Sequence, residues 1–441
     1  MTRTKITASV AAVLLVVFAL AAAWRVFEND DDTAARTSTR PSTVAEAAVH
    51  PSFIYGRVTT IAGGTHEGRL RFGGDQEAFW GHFFNGVRDA NRWAGLVPPE
   101  RLPRTRGGIE ILGFRIGNED RPASLRRPFM VRFGDIARLD ATGATGVRVT
   151  LKSGTVVDID RMDASDFDDG VRVWRGQRGP LDYDTKLIRS IEFLAPPRPG
   201  PAPGRLHGTV RTSQGTFTGF LQWDREETLG HDTLDGRVGG RELSLRFDRA
   251  RSIARASSDS LRVTLRDGRE IVLSRTREAG EGNRGIYVDD PRYGRVLVAA
   301  NAFERVDFSA PAGNGPAYGE FPPGRPLTGS VTTRDGRRFE GRLVYDLDET
   351  ETIETLDAPS EGVDYTIPFG LVASIVPDGR VTLYSGEELQ LERRGDLGDG
   401  NAGMLIFVEG SERPEYVPWS EVGKIELDRP AAMYPAVAGS Q

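Results

Sequence analysis

The chain has 441 residues, 52 glycines, 26 prolines, no cysteine and a formal net charge of −6. The mild negative charge argues against nucleic acid as the main partner. The lack of cysteine excludes disulfides, thiolate metal sites and cysteine nucleophiles, and the glycine and proline content favours short strands and turns.

A targeting pattern begins the chain. Arg3 and Lys5 precede an apolar run at residues 6–24, and three aspartates follow at residues 30–32. Basic residues before such a run and acidic residues after it orient the rest of the chain away from the cytoplasm. We therefore predict an exported protein of the periplasm or cell envelope.

Residues 1–27 fit two kinds of export signal. Residues 21–23 are alanines, which suit the cleavage site of a signal peptide. The apolar run, about 19 residues long, also has the length that spans a bilayer. The sequence leaves two alternatives: a cleaved signal peptide, or an inner-membrane anchor through residues 6–24 that makes the membrane a partner.

Three tandem units follow a polar, flexible linker at residues 28–51. The run VRVTLKSG at 147–154 returns as LRVTLRDG at 261–268 and as GRVTLYSG at 379–386. Such a recurrence predicts repeats of one structural unit. Proline-rich stretches favour semi-rigid spacers and mark the boundaries. The predicted parts are unit one at 52–194, a linker at 195–205, unit two at 206–308, a linker at 309–326, unit three at 327–428 and a tail at 429–441.

Each unit opens with a hairpin marked by three glycines. These are Gly56, Gly63 and Gly68 in unit one, Gly208, Gly215 and Gly219 in unit two, and Gly329, Gly336 and Gly341 in unit three. We predict that the second glycine of each set occupies a tight turn with positive φ.

A loop and a further hairpin recur later in each unit. An acidic residue stands seven positions before an apolar one with the same spacing in all three units, which predicts loops built in the same way: Glu77 and Phe84, Glu227 and Leu234, Glu349 and Leu356. In the recurring run, Val149 and Leu151 share one face and meet Val157 and Ile159 after a turn, as a half-buried antiparallel pair requires. No long stretch of helical period competes with this pattern.

The predicted fold class is therefore all-β, with three tandem antiparallel units. Both halves of a unit begin with a strand-turn-strand around glycine and end with spaced apolar residues, such as Phe133, Ile136 and Leu139. The glycine turn and this spacing resemble the Sm-like and SH3-like small-barrel families. The resemblance implies two small barrels in each unit and ligand binding by loops or edge strands. A single sandwich for each unit is the alternative.

Unit one alone carries an insertion, at residues 87–132. The aromatic run FWGHFF at 79–84 precedes it, and it contains Trp93 and ten arginines against five acidic residues. Unit three has the opposite balance, with nine basic and 22 acidic residues. The chain is therefore electrically polarised along its length.

Three interpretations of the insertion follow from its composition. Tryptophan and arginine dominate interface hot spots and also stack on sugars or bind anionic groups, so the insertion is a candidate recognition surface. Alternatively, it is a helical plug whose aromatics form core, or its basic face docks against the acidic unit three. The candidate binding residues are Phe79, Trp80, His82, Phe83, Trp93, Arg101, Arg104 and Arg106.

No catalytic or metal-binding pattern stands out. The five histidines lack zinc-site spacing, and no serine elbow, phosphate loop or dinucleotide fingerprint is present. The acidic loops at 166–170, 224–227 and 346–349 lack the spacing of an EF-hand, so solvated turns are favoured over calcium sites. We predict no cofactor, no metal and no catalytic residue.

These observations together predict a non-enzymatic binding or scaffolding protein. Repeated units suit multivalent contact with an envelope protein or polysaccharide, and the insertion of unit one supplies specificity. The alternative is a carbohydrate-binding module or a carbohydrate-active enzyme, because paired carboxylates cannot be recognised from sequence alone.

Overall fold

The computed structural model describes residues 49–431 except 74–75, 80, 89–90, 103, 107–108, 112–113, 117–119, 123–126, 144, 161–169, 176–178, 199, 201–203, 275–281, 312 and 314, and only the backbone of the strands within 103–126. The predicted export signal and nearly all of the linker at 28–51 lie outside these residues. In the part that is described, no helix has the length and apolar character needed to cross a membrane. The described residues belong to one compact unit.

The protein is all-β, as predicted from the recurring strand patterns. We refer to residues 52–194, 206–308 and 327–428 as the first, second and third segments. The first segment contains β1 (Tyr55–Thr60), β2 (Thr65–Phe72), β3 (Phe83–Val87), β4 (Arg104–Arg106), β5 (Ile109–Ile111), β6 (Phe114–Ile116), β7 (Asp120–Pro122), β8 (Pro128–Arg132), β9 (Ile136–Thr142), β10 (Gly146–Leu151), β11 (Val156–Asp160), β12 (Val171–Trp174), β13 (Pro180–Tyr183) and β14 (Ile188–Phe193).

The other two segments have similar strands. The second contains β15 (His207–Thr212), β16 (Gly215–Gln222), β17 (Thr233–Val238), β18 (Arg241–Arg246), β19 (Ala250–Ser257), β20 (Ser260–Leu265), β21 (Glu270–Ser274), β22 (Ile286–Asp290), β23 (Gly294–Val298) and β24 (Arg305–Phe308). The third contains β25 (Thr328–Thr333), β26 (Arg338–Val344), β27 (Thr355–Ser360), β28 (Val363–Pro368), β29 (Val372–Val376), β30 (Arg380–Leu383), β31 (Glu388–Gln390), β32 (Met404–Phe407), β33 (Glu415–Val417) and β34 (Val422–Leu427).

Helical structure in the described residues is limited to single 3-10 turns. They lie at Ala94–Leu96, Pro99–Arg101, Phe133–Asp135, Thr185–Leu187, Phe247–Arg249, Tyr318–Glu320, Phe369–Leu371, Gly395–Leu397 and Trp419–Glu421.

Eight strands follow the same order in each of the three large sheets. The first sheet is β11-β10-β9-β14-β1-β2-β12-β13 and the third is β31-β30-β29-β34-β25-β26-β32-β33. The second contains β21-β20-β19-β24-β15-β16-β22-β23 and continues at both ends, with β17–β18 beside β21 and β27–β28 beside β23. Neighbouring strands are antiparallel. Because β28 pairs with β23, one sheet runs from the second segment into the third.

The expectation of small barrels is not met, because no sheet in the described part of the chain closes on itself. The two halves of each segment do not fold separately. In the first segment, β1 and β2 of the first half lie between β14 and β12 of the second half. Interleaving of this kind places both halves in one open sheet.

The recurring run forms the predicted hairpin in all three segments. Val149 lies opposite Val157, Val263 opposite Ile271, and Val381 opposite Leu389. In β10, buried Val147, Val149 and Leu151 alternate with more exposed residues, which matches the period of a strand with one face on the core.

The glycines of the opening hairpins have two physical roles. Gly63 and Gly336 have φ of 88° and 89°, and Gly215 has 135°, so the predicted positive φ is present at the second glycine. Gly219, the third glycine of its set, is needed for a different reason. A Cβ atom there would lie 1.9 Å from the carbonyl oxygen of Asp289 on the neighbouring strand.

We expect Gly219→Ala to destabilise the protein by about 1–3 kcal/mol or more, because either β16 or β22 has to move away to relieve the contact. The measurement is the free energy of unfolding in urea. Gly95→Ala is the matched control, since a Cβ atom there meets nothing within 4 Å. Equal stability of the two variants would contradict the role given to Gly219.

Among the residues with described side chains, three apolar clusters hold the segments together. The largest is continuous between the second and third segments. Another fills the first segment and also includes Phe220, Phe321 and Ile353. The predicted spacer at 309–326 thus contributes Phe321 to the core of the first segment, and the hydroxyl of Tyr318 donates to the Ile136 carbonyl at 2.9 Å. A smaller cluster joins the insertion to the third segment.

Candidate functional site

The loop before β3 explains the position of His82. Its Nδ1 atom accepts hydrogen bonds from the backbone N–H groups of Glu77 and Ala78, each at 2.9 Å. In the other segments a carboxyl group has this role. Asp232 and Glu354 each accept hydrogen bonds from two backbone N–H groups of the corresponding loop. The loops marked by the shared glutamate spacing are therefore closed by one side-chain acceptor each.

His82 is a neutral acceptor inside the fold. It is 1% exposed, and burial lowers the pKa of its imidazole well below the usual value, with Arg295 and Arg205 nearby adding to the effect. A neutral ring keeps Nδ1 free to accept, which the two backbone N–H groups require. Its position inside the loop assigns it a structural role.

The aromatic candidates beside His82 contribute to packing between parts of the chain. Phe79 is fully buried and its ring centroid lies 4.8 Å from that of Tyr318. Phe83 is 4% exposed and lies beneath the guanidinium of Arg295, 4.6 Å from the ring centroid. Trp80 lies outside the described residues.

Two arginines at the base of the insertion bind the third segment. Arg88 follows β3 and Arg127 precedes β8, and the Arg88 N–H donates to the Arg127 carbonyl at 3.0 Å. The Arg88 guanidinium lies 2.6 Å from both Asp348 and Glu354, and Arg127 lies 2.8 Å from Asp346. We call Arg88 and Arg127 the arginine clamp.

The clamp neutralises a buried acidic turn. Asp346 and Leu347 have φ of 49° and 55°, which turns the chain tightly, and both Asp346 and Asp348 are buried. Burial raises the pKa of Asp346 to about 6 and that of Asp348 to about 7, although the clamp opposes both shifts. Desolvation of the carboxylates therefore outweighs their attraction to the arginines.

Residues 91–102 of the insertion pack on the same segment. The rings of Trp93 and Phe407 meet edge to face, with centroids 5.9 Å apart, and the Arg342 guanidinium lies 3.8 Å from the Phe407 centroid. The Asn91 amide donates to the Leu347 carbonyl at 2.9 Å. Among the three interpretations of the insertion, these contacts support docking against the acidic segment.

A pocket of about 430 Å³ remains open beside the docked insertion, and we call it the junction pocket. Its lining consists of Arg101, Arg334, Pro377, Arg393, Asp399, Asn401, Tyr416, Pro418, Trp419 and Ser420. Three arginines against one aspartate give it a positive charge. Among the predicted residues whose side chains the structure describes, Arg101 is the one that lines this pocket.

The junction pocket offers cations and aromatic surface. Arg101 is half exposed, 5.2 Å from the Tyr416 ring and 3.5 Å from Glu421. Arg393 pairs with the exposed Asp399 at 3.1 Å. Arg334 makes no ion pair among the described residues, and its Nε donates to the Val422 carbonyl at 3.2 Å.

Tyr416 is an uncharged wall of this pocket. Its hydroxyl donates to the Ala402 carbonyl at 2.8 Å, and burial raises its pKa to about 12. The lining residues suit binding of an anionic group, because guanidinium groups form strong charge-assisted hydrogen bonds with carboxylate and phosphate.

The remaining candidates are placed only in part. Arg104 and Arg106 lie in β4, which pairs with β7, and their side chains are outside the described part. Sequence reasoning did not select Arg334, Arg393, Tyr416 or Trp419. Nothing local distinguishes these residues, because the pocket exists only where the insertion meets a segment more than 200 residues later in the chain.

No protein family matches the chain, and no curated protein or solved structure is significantly similar to it. In the described ranges, no group of three or more histidine, aspartate and glutamate residues is arranged to hold a metal ion.

Proposed function

We propose that this chain is a non-enzymatic binding and scaffolding protein of the cell envelope that holds an acidic partner in the junction pocket. The observation that carries the proposal is the pocket itself, where Arg101, Arg334 and Arg393 converge beside Trp419 and Tyr416. Aromatic walls with arginines suit an acidic polysaccharide, whose sugar rings have apolar faces and whose carboxylate or phosphate groups accept from guanidinium.

The architecture supports a scaffolding role. The shared strand order of the three sheets supports descent from one repeated β unit, and the insertion of the first segment contributes Arg101 to the junction pocket. Export rests on the basic-apolar-acidic pattern at the N-terminus, with either a cleaved signal or an anchor at residues 6–24.

The experiment is calorimetric titration of the full chain with acidic oligosaccharides and their neutral counterparts. We expect acidic ligands to bind and Arg334→Ala to weaken them about tenfold or more, the effect of one charged hydrogen bond. Arg251→Ala, which removes an exposed arginine of the second segment outside the pocket, is the charge-matched control and should bind normally.

Two results would contradict this proposal. Neutral oligosaccharides that bind as well as acidic ones, without sensitivity to Arg334→Ala, would favour the carbohydrate-binding alternative at another site. Failure of every oligosaccharide, together with crosslinking of position 334 to an envelope protein, would show that the pocket recognises protein instead.

A further inference from the structure

A second cleft, of about 900 Å³, lies between the first and second segments. Strand β2 forms one wall with Arg69 and Arg71, and the loop before β17 forms the other. Arg284 also lines the cleft, and its acidic residues are Glu77, Glu226, Glu227, Asp232 and Asp235. Five acidic residues against three arginines favour a cationic ligand, the opposite preference from that of the junction pocket.

The third segment shows how this kind of loop binds a cation. There the Arg88 guanidinium lies between Asp348, on the tight turn, and Glu354, which closes the loop. Glu354 divides its carboxyl group between two tasks. Its Oε2 accepts the backbone N–H groups of the loop, and its Oε1 pairs with Arg88.

The second segment repeats this arrangement at the cleft. Asp232 closes the loop with Oδ2, which accepts from Thr228 and Leu229 at 2.9 and 2.8 Å. Its Oδ1 corresponds to the Glu354 oxygen that binds Arg88, and the exposed His231 ring lies 3.8 Å from the Asp232 carboxyl group. Glu226 corresponds in position to Asp348, and Glu226 and Asp232 both line the cleft.

The neighbouring turns also correspond. Asp224 and Arg225 have φ of 49° and 62°, as Asp346 and Leu347 do in the third segment. The Asp224 carboxyl accepts from the Arg284 N–H at 2.6 Å, and the Asp346 carboxyl accepts from the Ala402 N–H. The Arg284 side chain supplies the second segment with the cation that Arg127 supplies to the third, and it also pairs with Glu226 at 2.8 Å. In the third segment Arg88 lies between Asp348 and Glu354. The corresponding residues of the second segment, Glu226 and Asp232, both line the cleft, so the equivalent position for a guanidinium faces the cleft.

The opposite wall of the cleft is held firmly. The Arg69 guanidinium lies 4.1 Å from the Trp174 ring and 4.7 Å from the Phe53 ring, and it lies 3.5 Å from Glu77. Stacking on two rings restricts the Arg69 guanidinium, so this wall of the cleft is preorganised.

We propose that the cleft binds the guanidinium of an arginine-bearing peptide segment of a partner protein, between Glu226 and Asp232, as the third segment binds Arg88. The binding of Arg88 in the third segment identifies a guanidinium as the ligand group. The cleft, at about 900 Å³, has room for peptide on either side of the arginine side chain. This inference does not depend on the junction pocket.

The test is titration of the full chain with three probes: arginine amide, citrulline amide and a short glycine-serine peptide with one central arginine. We expect the two arginine probes to bind and the uncharged citrulline probe to bind at least about tenfold more weakly. Tighter binding of the peptide than of arginine amide is expected if the cleft also holds backbone.

The variants are Glu226→Gln and Asp232→Asn, combined in one chain. Asparagine keeps an oxygen that accepts the two loop N–H groups, so the fold should be retained, and urea unfolding checks this. Glu242→Gln is the matched control, since Glu242 is an exposed acid on β18 that pairs with Arg237 at 3.1 Å. We expect the double variant to lose at least about tenfold in affinity for arginine probes and the control to lose none.

Equal binding of the citrulline and arginine probes, or unchanged binding by the folded double variant, would overturn the proposal. Arginine amide that binds as tightly as the peptide would assign the site to a free guanidinium compound instead of a partner protein. Binding of acidic oligosaccharides by the double variant is a separate readout, because it depends on Arg334 and the junction pocket.

Discussion

Replacing Arg88 by alanine is expected to lower the free energy of unfolding by about 3–5 kcal/mol at about pH 8, because two buried carboxylates lose their partner. Asp348 and Glu354 have side chains that are 4% and 7% exposed, so water cannot take over from the guanidinium. Urea unfolding measures the effect. Arg148→Ala is the control, since that arginine pairs with Asp158 at the exposed surface, where such pairs contribute about 1 kcal/mol or less.

The cost of Arg88→Ala should shrink as the pH falls. Burial raises the pKa of Asp348 to about 7 and that of Asp346 to about 6, so the folded state takes up protons more readily than the unfolded state. These carboxyl groups therefore disfavour folding above about pH 7, and this penalty disappears between about pH 7 and pH 4. Without Arg88 the Asp348 pKa rises further, and the variant gains more from acidification than the wild-type protein does.

We expect the defect at about pH 5.5 to be roughly half that at about pH 8. The pH dependence contributed by His82 is shared by both proteins and cancels in the difference. A defect of equal size at the two pH values would show that Arg88 acts by packing on Phe129, whose ring lies 5.1 Å away, and not by neutralising the acidic turn.

Replacing His82 by alanine is expected to cost roughly 2–4 kcal/mol, because two buried backbone N–H groups lose their acceptor. His82→Asn should restore part of the loss, since the amide oxygen can accept as the carboxyl oxygens of Asp232 and Glu354 do. Thermal unfolding of the full chain measures both variants.

His231→Ala is the control for this prediction. His231 is 65% exposed and closes no loop, so its removal should change the stability by less than about 0.5 kcal/mol. Equal losses for His82→Ala and His82→Asn would indicate that the ring is needed for its volume and not as an acceptor.

The hairpins were predictable because their information is local. Glycine spacing and alternation place Val149 opposite Val157 within a few residues of chain, and turn geometry fixes the register. The same alternation was insufficient to decide which strands lie side by side. The pairing of β1 with β14 joins residues more than 130 apart, and the small-barrel expectation was not met because it assumed that each half pairs with itself.

The binding candidates show the same limit. Charge polarity identified docking between the insertion and the third segment as one of three alternatives, but composition does not say which arginines dock. Arg88 and Arg127 bind buried acids, whereas Arg101 lines a pocket beside the half-exposed Glu421, and no local feature separates them. Phe79 and Phe83 were candidates for recognition because the sequence alone does not show which side chains are buried, and the structure buries both.

The pairing of Arg88 with Glu354 joins residues 266 positions apart and therefore imposes an order of assembly. During synthesis the insertion leaves the ribosome long before the acidic turn is made. Its arginines therefore stay in water until the last quarter of the chain has been synthesised. Closing so large a loop is slow, and the ion pairs that stabilise it form only after the third segment is present. A chain truncated before the third segment would thus lack the partners of Arg88 and Arg127. Loss of the C-terminal part would therefore expose a surface of the first segment.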